Sequence, residues 1–347
     1  MREVVIAGLG QIPVGEHWDV SLRSLAARAM LAARHEAGMD LKPQALYVGN
    51  MLASTVSHQS NLGALLADNT GLTGIEAFTV EAADASGAAV FRMGYLAVAS
   101  GFVDTVLVVG VEKYTDMVGS GLESAVSEMV DYDWEAVEGL TPTSQAGLLM
   151  QRYLYEYRPP RQAFAAFPLL AHANGAGNPN AMYRKAIKPE VYAGAEPVCD
   201  PLNLFDIAPY ADGAAAVLLT SPDRIGADFA HPLVKVTGSA SVIDRLALHD
   251  RPDFLSFESA RLSIERACRM AGIMPQDVDF FELSDTSSIH AALTLEAAGF
   301  APRGQAAQLA ADGHFNLNGT LPINTLGGLK ARGHPLGATG MYQIVEA

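Results

Sequence analysis

Between Val4 and Val111, short β-branched runs alternate with segments whose apolar residues recur every three to four positions. That alternation restricts the chain to an α/β fold, because each strand needs helices to cover its faces. "VVIAG" (Val4 to Gly8) reads as a buried strand ended by glycine. Ser21 then opens a segment with Leu22, Leu25, Ala29 and Ala33 on one face, closed near Gly38, which predicts an amphipathic helix with start and stop signals. A strand near Ala45 to Val48, a helix through Leu62 to Leu66 and a strand near Phe78 to Val80 follow. "VEAADASGAA" turns that strand into a helix reaching about Ser100, and "VLVVGVEK" is the next apolar strand. Strands joined by helices in this way are expected to lie parallel.

From about 112 to 206 the rhythm stops. "DYDWEAVEGLTPT", "YEYRPPRQ" and "NGAGNPNAMYRK" are rich in Pro, Gly, Asn and aromatics, as in a functional excursion with some helices. A small-residue strand, Ala211 to Ser221, restores order. A second half is expected to restart at "HPLVKVTGSA", with a helix through Ala260 to Ala271, a strand "VDFFEL" (Val278 to Leu283) and a helix through Ala291 to Ala298. It ends in the glycine-dense "NTLGGLKARGHPLGATG".

Composition removes several classes of function. Half of the 347 residues are hydrophobic, which supports a large core and argues against disorder. The net charge of −15 argues against a nucleic-acid partner, which needs a basic surface. It leaves room for an anionic small molecule held by a local cluster such as Arg184, Lys185 and Lys188 in "MYRKAIK", a stretch that also reads as a plain solvated patch. No apolar run reaches the roughly 18 to 20 residues of a membrane span, and the start of the chain has no signal-peptide pattern. Cys199 and Cys268 are the only cysteines, too few and too far apart for a disulfide framework or a metal cluster, so a cytoplasmic location is expected. "VVIAGLGQIPVG" is no dinucleotide fingerprint, because Pro13 stands at the third glycine position and no helix opens there.

Three distant segments carry the strongest signal: "EAADASGAA", "FFELSDTSSIHAALTLEAAGF" and "NTLGGLKARGHPLGATG". With "GVEKYTDM" and "DIAPYADGAAAVLLTS", in matching order over the whole chain, they make it resemble the thiolase superfamily, nearest to the sterol-carrier-protein and archaeal type. The resemblance implies two similar α/β halves, each a mixed sheet covered by helices, stacked in five layers, with a loop domain inserted in the first. The corresponding boundaries here are 1–111 plus 207–225 for the N-terminal half, 112–206 for the loop domain and 226–347 for the C-terminal half. It also implies a coenzyme A thioester as substrate or ligand, no covalently bound cofactor, no metal, and a homodimer or homotetramer active in lipid metabolism.

Working members of the family acylate a cysteine at a helix start, a residue type whose thiolate is favoured there. A His in Gly-His-Pro activates it, an imidazole being able to take the thiol proton near neutrality. Carried over to this sequence, His334 is the catalytic histidine, between Gly333 and Pro335, with Gly337 allowing close approach of a thioester. Asp84 stands at the nucleophile position, followed by Ser86. Attack by its carboxylate on a thioester would give a more reactive mixed anhydride, and an ionised Asp would repel an enolate, so Asp84 is expected to serve as a helix N-cap, with a catalytic group as the alternative. Ser284 stands where the family has the Asn or His that binds the enolate oxygen. Gly333, Gly337, Ser86, Arg184 and Lys185 are the expected substrate-binding residues.

The chain ends at Ala347 inside the helix after Gly-His-Pro, so the C-terminal half is expected to lack the family's last strands and its cysteine proton shuttle. Three functions follow. The chain is an acyl-CoA enzyme doing retro-aldol or decarboxylation chemistry without a covalent intermediate, or a non-catalytic subunit binding CoA or a partner, or an ordinary thiolase altered at residue 84. Thiolase-like steroid side-chain aldolases, which work with a small zinc-ribbon and OB-fold partner, carry tyrosines where this chain has Ser284 and Arg332.

Overall fold

A computed structural model describes residues 1–227, 229 and 231–347. In chain order its strands and helices begin β1 (Val5–Gln11), α1 (Leu22–Ala37), β2 (Ala45–Gly49), α2 (Leu62–Asn69), β3 (Glu76–Val80), α3 (Ser86–Ser100) and β4 (Thr105–Glu112). The former loop stretch holds α4 (Ser120–Val126), α5 (Pro142–Tyr157), α6 (Ala166–Gly175), α7 (Pro189–Ala193), β5 (Pro197–Cys199) and β6 (Leu202–Asn203). Then come β7 (Gly213–Thr220), β8 (Val234–Lys235), α8 (Glu258–Ala271), α9 (Ser288–Ala297), α10 (Ala306–Ala311), α11 (Gly328–Arg332) and α12 (Thr339–Glu346). The chain divides into two compact units: residues 1–118, 210–239 and 335–347, and residues 119–209 and 240–334.

The first unit is built on a six-stranded sheet in the order β3-β2-β4-β7-β1-β8. Its strands β2, β3 and β4 are parallel, as the alternation predicts. β7 runs antiparallel to both β4 and β1, so the sheet is mixed, as the resemblance implies. It returns after an excursion with helices of its own instead of a single crossover helix, so nothing obliges it to run parallel. Every residue of β4 and β7 is buried. Alternate residues such as Val48, Val109 and Ala216 pack with α1 and α2. The opposite face meets α3 and α12: a Cβ at Gly94 would touch Val108, Leu219 and Val106, and one at Gly110 would touch Met341.

The glycines of β1 have a packing reason. A Cβ on Gly10 would sit 2.1 Å from the Ala29 carbonyl oxygen, and one on Gly8 2.1 Å from that of Ala33. Helix α1 therefore lies against bare backbone. It starts where Ser21 accepts a hydrogen bond from the Ser24 N–H and stops at Gly38 with φ +88°.

The second unit has its own apolar core, where Met150, Tyr153 and Phe164 meet Ile289, Leu293 and Leu295. Helix α5 opens with a capping box between Thr141 and Ser144 and Pro142 in its first turn. The strand expected at Val278–Leu283 does not form. Among the described residues only Phe281 bridges to Ile323, because no second strand lies alongside to take the remaining N–H and C=O groups. The restart at "HPLVKVTGSA" is likewise reduced to β8, which pairs with β1 at the edge of the first sheet.

Candidate functional site

In the first unit the bend after β3 is a single 3-10 turn, Ala83–Ala85, running straight into α3. Ala83 takes φ +47°, a left-handed conformation that costs a non-glycine residue energy. The turn is held by Ser86, which is fully buried: its hydroxyl donates to the Ala83 carbonyl (2.6 Å) and accepts from the Ala82 N–H (2.9 Å). Asp84 sits inside the turn, half-buried. The expectation that it caps α3 is corrected, because Ala85 occupies the N-cap position and the side chain that closes the bend is that of Ser86.

The turn Leu336–Ala338 packs on this bend. A Cβ on Gly87 would meet the Gly337 carbonyl oxygen at 2.9 Å, so only a residue without a side chain permits the approach. Beneath the turn lies a group the sequence reading passed over. The Glu112 carboxylate, fully buried at the end of β4, accepts hydrogen bonds from the Asn50 amide (2.8 Å) and from the N–H groups of Met51 (3.0 Å), Leu52 (3.1 Å) and Gly337 (3.2 Å). Burial pushes its pKa up to about 7 although these four donors pull the other way. Tyr114, also fully buried, has its phenol pushed well up, first by burial and also by the Asp84 and Glu112 carboxylates. Asp212 anchors the neighbouring loop. Burial raises its pKa, but the N–H groups of Thr115, Tyr114 and His17 and the Thr115 hydroxyl outweigh burial and hold it low.

In the second unit His334 is buried, and its N–H donates to the Pro209 carbonyl at 2.9 Å. Gly333 before it adopts φ +106°, which ends α11. Helix α11 carries two buried cations. Arg332 is fully buried, while Lys330 donates to the Asp206 carbonyl at 2.6 Å. Burial lowers the Lys330 pKa to about 8, against the pull of Asp285 and Asp206. The Asp285 carboxylate accepts from the Leu329 N–H at 2.7 Å. Ser284 lies next to it in chain order and is exposed. The Asn324 side chain fixes that segment by accepting from the Leu283 N–H at 2.9 Å.

The loop after α6 is tied to α11 along its length. Asn174 donates to the Asn324 carbonyl (3.0 Å), Asn178 to the Leu326 carbonyl (3.0 Å), and the N–H groups of Met182 and Tyr183 to the carbonyls of Arg332 (3.0 Å) and Ala331 (2.9 Å). Arg184 and Lys185 follow directly and are exposed, so the basic cluster starts beside the helix that leads to His334. His172, behind it, has its pKa lowered by burial first, a hydrogen bond to the Lys185 carbonyl opposing and Lys330 reinforcing the shift.

The structure thus groups Asp84, Ser86 and Gly337 in one unit and His334, Gly333, Arg184 and Lys185, with Ser284 anchored to α11 through Asp285, in the other. A cavity of the second unit, about 950 Å³ and lined by Leu169, Leu170, Tyr192 and Leu202, touches none of them. Among the described residues no three His, Cys, Asp or Glu side chains gather as metal ligands. No helix among them is long and apolar enough to cross a membrane.

Comparison with known proteins bears on the same segments. The family model for the thiolase N-terminal domain matches residues 4–199, and that for the thiolase C-terminal domain-like family matches 240–347. An acetyl-CoA acetyltransferase of Methanothermobacter thermautotrophicus is 39% identical over 347 residues, covering 100% of this chain and 90% of its own. The benzoylsuccinyl-CoA thiolase subunit BbsB of Thauera aromatica is 29% identical over 350 residues, covering 100% and 88%. The solved Ltp2-ChsH2(DUF35) aldolase superposes with a TM-score of 0.86 at 25% identity, over 99% of this chain and 88% of that one.

Proposed function

This chain belongs to the thiolase superfamily and has the thiolase fold, and from that premise we propose that it handles acyl-CoA thioesters without a cysteine-bound acyl intermediate. The observation that carries the reading is Asp84, a carboxylate inside the braced turn at the start of α3, where working thiolases present their cysteine. The turn is strained at Ala83 and locked by Ser86, as expected where a side chain must be held for use.

The chemistry such a carboxylate can do is acid–base. On a 3-hydroxyacyl-CoA, Asp84 takes the proton of the 3-hydroxyl. The Cα–Cβ bond breaks, its electron pair passes to the thioester as an enolate, and the aldehyde or ketone departs. The enolate then takes the proton back at Cα. In the family the histidine of Gly-His-Pro and helix-start N–H groups stabilise the enolate oxygen, and His334 and the start of α3 hold those positions in this sequence. Ser284 holds a water at the position of the family's Asn or His. Gly333 and Gly337 give the thioester room, and Arg184 and Lys185 meet the anionic end of coenzyme A. The match to an aldolase over nearly the whole chain supports this direction. With the family resemblance go a homodimer or homotetramer, a small zinc-ribbon and OB-fold partner, and a place in cytoplasmic lipid metabolism.

A second reading is a subunit that binds CoA or a partner without catalysis. It is favoured by the full-length match to a thiolase named as a subunit, together with the exchange of cysteine for Asp84.

Intact mass after incubation with acetyl-CoA and acetoacetyl-CoA, with CoA release, tests the proposal on the native protein and on Asp84→Cys. The expected result is no adduct on the native protein and cleavage of a 3-hydroxyacyl-CoA. An acyl adduct on the native protein overturns it. Binding of CoA without turnover of any thioester selects the second reading.

A further inference from the structure

Within the first unit, one side chain joins three stretches that are remote in sequence. Glu112 closes β4, and its carboxylate receives the Asn50 amide and the Met51 and Leu52 N–H groups from the loop after β2. It also receives the Gly337 N–H from the turn that follows His334 and Pro335. Asn50 strengthens the joint: its amide also donates to the Val111 carbonyl (2.7 Å) and its oxygen accepts from the Ala53 N–H (2.8 Å). The space is filled so tightly that a Cβ on Gly337 would lie 2.8 Å from a Glu112 oxygen and 2.9 Å from the Met51 nitrogen. The turn it holds is the one that packs on the Asp84 bend.

We propose that Glu112 is a positioning residue: it fixes the loop Asn50–Ala53 and the turn Pro335–Ala338 together, so that the two segments order and loosen as one piece against the Asp84 bend. The ordering stands whether or not the protein processes thioesters. Only its effect on turnover rests on the function proposed above.

All four partners are donors, which suits a carboxyl group and not an amide. A glutamine would turn an N–H₂ group towards two of them. The joint is also sensitive to protonation. Tyr114, just beyond β4, feels the charge of both Glu112 and Asp84. Lys113 is turned away to Asp116 and Asp212. Glu112 therefore has no cation against it among these groups, and burial raises its pKa to about 7. A local opening that lets water reach it returns the group to its ordinary value of 4.5. Ionisation thus favours the open form, and the closed joint weakens as pH rises from 4.5 to about 7 and is level above that.

Hydrogen exchange of the native protein, read by mass spectrometry at pH 5 to 8.5 and corrected for intrinsic exchange, tests this without any substrate. Protection at 50–53 and 335–340 is expected to fall in both segments together between pH 5 and about 7, by up to about a hundred-fold, and to level off above that. Protection in the β4 residues 105–110 is expected to stay constant. In Glu112→Gln the two segments are expected to lose the pH dependence, because the amide does not titrate. Glu112→Asp keeps the pH dependence at lower protection. The proposal is overturned if the native segments show different midpoints or none, or if Glu112→Gln keeps the native pH dependence. Should Glu112→Gln fail to fold, the native pH series decides alone.

Discussion

Lys330 shows how a buried charge makes stability depend on pH. Its ammonium is buried beside the Asp206 carbonyl, and its pKa of about 8 lies below its ordinary value of 10.5. The unfolded chain therefore binds more protons than the folded one between those limits. Stability is lowest, on this account, below pH 8 and rises as pH climbs towards 10.5, by about 3 kcal/mol in total. Lys330→Met is expected to remove that slope, so its stability relative to the native protein falls across pH 8 to 10.5 in urea titrations. A parallel slope in both proteins would refute the assignment. None of this was legible in the sequence. Asp84, Ser86, Ser284, Gly337 and His334 could be picked out because they sit in recognisable local motifs. Glu112 and Lys330 draw their character from groups far away in the chain, Gly337 for one and Asp206 for the other, and no local pattern announces such partners.

Elements with a strong period and proper ends were read correctly. Helices α1, α3, α8 and α9 and strands β2, β3 and β4 fall where their patterns predict, because amphipathic spacing and caps act within a single segment. The failures concern pairing. The absence of a strand at Val278–Leu283 depends on which backbone lies alongside, which hydrophobic pattern does not encode. The glycines of β1 illustrate the same point: they resemble half of a cofactor loop, yet they serve the packing of α1. Gly10→Ala is accordingly expected to destabilise the protein by roughly 1–3 kcal/mol, since a Cβ at 2.1 Å from a carbonyl forces α1 outward. A thermal midpoint unchanged from native would show that the contact is not tight.

Across the molecule, strand order matters more than strand number. β7 lies between β4 and β1 at the middle of the sheet, yet the 100 residues from Lys113 to Asp212 separate it from β4. A chain cut at residue 205 keeps β1 to β4 but lacks the strand that joins β1 to the rest. Such a fragment is expected to show little amide protection in β4, measured by hydrogen exchange, where the full chain is strongly protected. Native-like protection in the fragment would mean that the parallel strands suffice alone.

That placement also sets a timetable for biosynthesis. At about 5–20 residues per second, a ribosome needs roughly 5–20 s to pass from the end of β4 to the start of β7. Throughout that interval β4 waits with one edge unpaired and β1 with both, the situation in which nascent chains stick to one another. The yield of this protein in a cell is thus decided while the middle of its sheet is still being made, and chaperone capacity during those seconds sets it.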